Sequence, residues 1–157
     1  MNGKRLFLLY AFPCAEQRLY RGEITEEEYQ RLQDMISGEP IDSKLLQKCF
    51  PQAWKDYHSF FDLMDTKNVR RFWLEMHNKM VDSGRGEFAR YSEKEREICK
   101  VRIGKVVAFE GEIVNVDIDG KIQKVVNAYG LKLKPGDTVS IHYRIVIESL
   151  NDSLFDQ

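Results

Sequence analysis

The chain has 157 residues, of which 43% are hydrophobic, and its 24 Lys and Arg nearly balance 25 Asp and Glu, a formal net charge of −1. That length holds one ordinary domain or two small ones and can bury a core. The composition excludes a disordered or collagen-like chain, and the charge balance excludes a global electrostatic pull toward nucleic acid.

The first half reads as helical. Leu6, Leu9, Tyr10 and Pro13 open an apolar helix that Phe12-Pro13 should end or kink, because the proline ring clashes with the preceding turn. Thr25 and Glu28 fit a capping box, starting a helix through Tyr29, Leu32 and Ile36 that stops at Gly38. A third region begins near Asp42 or Ser43, breaks around Pro51 and continues through Trp54, Tyr57, Phe61 and Met64. A fourth places Val69, Phe72, Trp73, Met76 and Met80 on one stripe and ends at Ser83-Gly84. Gly84, Gly86 and the charged residues up to Ser92 offer little to bury and predict an accessible joint.

After Ser92 the period turns toward two. Val101 to Phe109 is β-rich, Val114, Val116 and Ile118 alternate with polar residues, and Asp119-Gly120 is the clearest hairpin signal. Ile122 to Val126 returns, Lys134-Pro135-Gly136-Asp137 turns again, and Val139 through Ile147 alternates as one last long strand. Several short strands in so short a stretch predict a closed or nearly closed barrel, because closure removes exposed edges. Charge does not separate the halves: residues 1–97 hold 16 basic and 17 acidic side chains, residues 98–157 hold 8 of each.

Candidate chemistry is sparse. Cys14, Cys49 and Cys99 are too scattered for a disulfide framework or a CxxC zinc site. Trp54-x3-His58 and Trp73-x3-His77 place each indole one turn from an imidazole; with Cys14 or Cys49 they could bind a metal, but packing is the expected role. No paired carboxylates, Ser/His/Asp order, phosphate-binding glycine loop or HExxH helix is present, so a non-enzymatic protein is expected. In the β half, Lys100, Arg102, Lys105, Phe109, Lys132, Lys134 and Tyr143 could suit single-stranded nucleic acid, although they form no concentrated basic run.

Two stretches carry more when taken together. Cys99 is followed five residues later by Gly104-Lys105-Val106; Asp119-Gly120 supplies a hairpin; Gly136-Asp137-x-Val139-x-x-His142 makes a strand; and Glu148-Ser149-Leu150-Asn151-Asp152 makes an acidic tail. In this order and spacing, residues 98–157 resemble the HypC/HupF family of hydrogenase maturation chaperones. The resemblance implies a small β-barrel metallochaperone that partners a larger maturation protein. It would hold the iron of the nickel–iron centre while diatomic ligands are added, then deliver it to the hydrogenase large-subunit precursor. The family's metal-binding Cys and His map to Cys99 and His142, thiolate and imidazole donors suited to low-valent iron, with Lys100 and Arg102 placed to favour the thiolate. The chain departs from the family in its preceding helical half, in Ile103 where a proline is usual, and in Tyr143-Arg144 where small residues are usual.

The expected architecture is therefore α+β: an N-terminal α-helical domain, residues 1–91, serving as a docking module, then a small OB-like β-barrel, residues 98–157. The expected function is that of an accessory protein in metalloenzyme maturation, by iron handling or partner docking. The alternative is a single-stranded nucleic-acid-binding barrel fused to a helical interaction module. The apolar run Leu6–Phe12 is too short to span a bilayer, and without a secretory leader the expected location is cytoplasmic.

Overall fold

In the computed structural model, which describes residues 1–151, Asn2 opens the first helix by accepting the Arg5 N–H at 2.8 Å. Asp152, the end of the acidic tail, lies outside the described residues. Two compact units divide the chain, Met1–Arg96 and Glu97–Gln157.

In the first unit α1 (Gly3–Ala11) ends before Phe12-Pro13 as expected, and a 3₁₀ turn at Phe12–Cys14 leads on into α2 (Ala15–Tyr20). The capping box before α3 (Glu26–Ile36) has both arms: Glu28 N–H donates to Thr25 Oγ1 at 3.0 Å and Thr25 N–H to Glu28 Oε1 at 2.9 Å. Asp42 caps α4 (Ser43–Cys49), and Pro51, whose missing N–H costs nothing in a first turn, starts α5 (Pro51–Phe60).

After α6 (Thr66–Arg71) a π-helical turn at Phe72–Met76 adds one residue before α7 (His77–Ser83). That insertion moves the buried stripe on by one position. The sequence spacing predicts Val69, Phe72, Trp73, Met76 and Met80, whereas the structure buries Val69, Phe72, Trp73, His77 and Val81. Trp73 lies within 5.8 Å, ring centre to ring centre, of Phe7, Tyr10, Phe72 and His77, stacked on Tyr10 and tilted or edge-on to the rest.

The Ser83–Ser92 stretch is more structured than its composition suggests. A 3₁₀ turn at Gly86–Arg90 buries Phe88, and Glu87 accepts from the buried Arg18 guanidinium at 3.0 and 3.2 Å. A further helix, α8 (Glu93–Cys99), follows where β structure is expected from the sequence. Its signal is Ser92-x-x-Glu95, a second capping box, with Ser92 N–H donating to Glu95 at 3.1 Å and Glu95 N–H to Ser92 Oγ at 3.2 Å.

Cys49 is fully buried at the end of α4, and burial pushes its thiol up to about 11. An unfolded thiol ionises near 8.5, so this residue adds stability below that pH that is lost as pH rises from there toward 11. At pH 8, Cys49 is expected to react with iodoacetamide far more slowly than the half-buried Cys14, in a peptide-mapped time course. Equal rates in the native protein would contradict this burial.

The second unit is a closed five-stranded barrel: β1 (Arg102–Glu110), β2 (Ile113–Ile118), β3 (Lys121–Val126), β4 (Thr138–His142) and β5 (Ile145–Ser149), ordered β1-β2-β3-β5-β4. It is the OB-like barrel expected from the sequence. The last long strand is in fact two. Tyr143 and Arg144, at φ of 50° and 62°, make a two-residue turn between His142 and Ile145. Non-glycine residues seldom adopt that backbone, so alternation alone carries the strand straight through. Inside the barrel, Val106, Val114, Val116, Ile118, Val125, Val139, Ile141 and Val146 form the core, with Leu131 and Leu133 against it.

Candidate functional site

The motif residues fall into two classes once their contacts are known. Gly104 faces inward on β1: a Cβ there would sit 2.9 Å from Ile118 Cγ1 and 3.1 Å from the Asp117 carbonyl oxygen, so glycine makes room for the barrel core. Asp119 and Gly120 form the β2–β3 turn at φ of 53° and 85°, and Gly120 N–H donates to Asp117 Oδ1 at 2.8 Å. Gly136 takes φ of 96°. Beside it the buried Asp137 accepts the Lys134 N–H at 2.9 Å and the Asn151 side-chain amide at 2.6 Å. Asn151 in turn accepts the Thr138 N–H at 2.7 Å, closing a clamp between the start of β4 and the chain leaving β5. These residues build the barrel.

Cys99 and His142 are the class left for chemistry. The β1–β4 register pairs Arg102 with Ile141, which carries the chain before β1 to the same barrel end as His142. Both side chains are buried, at 5% and 2% exposure. Cys99 closes α8, and His142 is enclosed at the end of β4. Tyr143 touches both. Its phenolic oxygen is 3.0 Å from Cys99 Sγ, and its ring centre is 5.3 Å from the His142 imidazole, edge-on. Tyr143, one of the residues that set this stretch apart from the family it resembles, thus lies against the thiol.

The cations expected to favour a thiolate both reach Glu97. Glu97 accepts from Lys100 Nζ at 2.9 Å and also pairs with Arg102. These two cations, Lys100 first, hold the Glu97 carboxyl below the usual carboxylate range. The two Trp/His pairs of the helical unit differ: Trp73 and His77 are buried, whereas His58 is exposed beside a half-buried Trp54. His58 Nδ1 lies 2.9 Å from the Trp54 carbonyl of its own helix, and His77 is buried between Trp73 and Phe88. Among the described residues, no group of three or more His, Cys, Asp and Glu side chains is placed to hold a metal ion.

The barrel's outer sheet has mixed charge. Lys105 stands opposite Asp117 in the β1–β2 register, and Glu110 and Lys124 lie on the same face. Single-stranded oligonucleotides are expected to bind weakly, without sequence preference and with steep loss on adding salt, measured by fluorescence anisotropy. Sub-micromolar affinity for one sequence over scrambled controls would contradict that. Among the described residues no helix is long and apolar enough to cross a membrane. No family model matches the chain, and no curated protein is significantly similar to it.

Proposed function

We propose that this chain is a non-enzymatic accessory protein of metalloenzyme maturation, of the nickel–iron hydrogenase type, in which Cys99 and His142 handle iron as cargo. The observation that carries the reading is the convergence of that thiol and that imidazole on Tyr143, at one end of a barrel bearing the Gly-Asp-x-Val-x-x-His strand. Thiolate sulfur and imidazole nitrogen are good donors for ferrous iron. Two protein donors leave coordination positions for ligands brought by a maturation protein or a large-subunit precursor. Tyr143 must swing away from Cys99 Sγ before the sulfur can bind, and the thiol must lose its proton.

The test is anaerobic ferrous-iron binding by the full chain. Wild-type protein is expected to take up iron that Cys99→Ala abolishes and His142→Ala weakens, because water replaces an imidazole more readily than a thiolate. Tyr143→Phe, which deletes the hydroxyl on Sγ, is expected to load faster. Uptake unchanged in Cys99→Ala, with an unaltered circular dichroism spectrum, would overturn the reading.

A further inference from the structure

The barrel is closed through β3 and β5 by one residue pair, Val126 with Ile145 in parallel, whereas β3 pairs with β2 along its whole length. The remainder of β3 therefore has an open edge. Its polarity follows from two hydrogen bonds: Val126 N–H donates to the Arg144 carbonyl at 2.8 Å, away from β2, and Asn127 N–H donates to the Glu112 carbonyl at 2.8 Å, on the β2 side. With a strand period of two, the N–H and C=O groups of Lys124 and Ile122 point the same way as those of Val126. Among the described residues neither finds a backbone partner on that edge. Lys121 through Lys124 are all exposed, Ile122 at 58%.

We propose that the β3 edge at Ile122–Lys124 is a docking site for an extended, acidic and β-branched segment of a partner protein, which adds to the barrel as a strand. The backbone supplies the pairing groups, and the side chains select the sequence. Ile122 and Lys124 share the outer face, so a strand laid beside them places alternate residues against an isoleucine and an ammonium group. Lys121 and Lys124 form no ion pair among the described residues. That charge selects against a second copy of this chain: antiparallel edge-to-edge pairing would bring the Lys124 side chains of both copies onto one face, and like charges across strands are destabilising. It favours carboxylates instead. The proposal is independent of the reading of Cys99 and His142.

The experiment uses the full chain and a blocked peptide, Thr-Glu-Thr-Val-Thr-Glu-Thr, with Thr-Lys-Thr-Val-Thr-Lys-Thr as its basic twin. At millimolar acidic peptide, amide exchange of Ile122 and Lys124 is expected to slow by about tenfold or more, and the basic twin should leave it unchanged. Ile122→Pro deletes an edge N–H but no β2 ladder bond, so it should fold and lose binding, whereas Lys124→Glu should reverse the preference between the peptides. Unslowed exchange at Ile122 and Lys124, equal response to both peptides, or full binding by a folded Ile122→Pro protein would overturn the proposal.

Discussion

Replacing Trp73 with alanine is expected to destabilise the helical unit by about 4 kcal/mol, as large aromatic-to-alanine changes in cores do. Trp73 is 1% exposed and touches rings from two separated stretches of the chain: Phe7 and Tyr10 on α1, and Phe72 and His77 in its own π turn and the α7 start that follows it. No neighbour can swing into the vacated volume without giving up its own ring contacts, so the cavity persists. For a unit of this size the change corresponds to a melting temperature lowered by roughly 15 °C or more. Trp73→Phe keeps part of the stacking on Tyr10 and should lose markedly less. A thermal melt followed by far-ultraviolet circular dichroism checks both, and a shift of only a few degrees for the alanine variant would show that the aromatic cluster is not the core of this unit.

Gly3→Ala is the second large effect, and its sign separates two physical terms. Helix propensity favours alanine over glycine by about 1 kcal/mol, so an exposed position would gain stability. At Gly3, however, a Cβ would stand 2.1 Å from the Met64 carbonyl oxygen and 2.6 and 2.7 Å from the carbonyl carbons of Met64 and Asp65. All three are backbone atoms, which cannot rotate aside as a side chain would. The glycine lets α1 approach the segment leading into α6, and overpacking there is expected to cost about 3 kcal/mol, outweighing the propensity gain. Gly22→Ala is the control: its φ of 75° strains alanine, but no atom lies within 4 Å of the added carbon, so about 1 kcal/mol is expected. Urea denaturation of the two variants ranks them, and a Gly3→Ala protein as stable as wild type would refute the close approach.

Local chemistry that a short window contains was legible in the sequence. Thr25 with Glu28 specifies a cap wherever it occurs before a helix, and Asp119-Gly120 specifies a tight hairpin, so both turned up where expected. The alternating valines and isoleucines likewise report an inward face, and they built the barrel. What escaped depends on departures from regular period. The π turn at Phe72–Met76 shifted burial from Met76 and Met80 to His77 and Val81, and no residue type announces such an insertion. The Tyr143-Arg144 turn was hidden because neither residue favours positive φ. It is held there by long-range bonds, among them the one from Val126 N–H to the Arg144 carbonyl. The candidate site suffered most from this. Cys99 and His142 could be named only through the family resemblance, and their burial, and the phenol of Tyr143 over the thiol, follow from a turn and a helix that the β pattern did not contain.

In the proposed function Cys99 sulfur becomes an iron ligand once Tyr143 moves off it. X-ray absorption at the iron edge, on full-length protein loaded anaerobically with ferrous iron, tests that directly. One sulfur neighbour and at least one imidazole are expected in the wild type, with the sulfur lost in Cys99→Ala and the imidazole lost in His142→Ala. Iron surrounded by oxygen alone, or a sulfur signal that survives in Cys99→Ala, would contradict the claim.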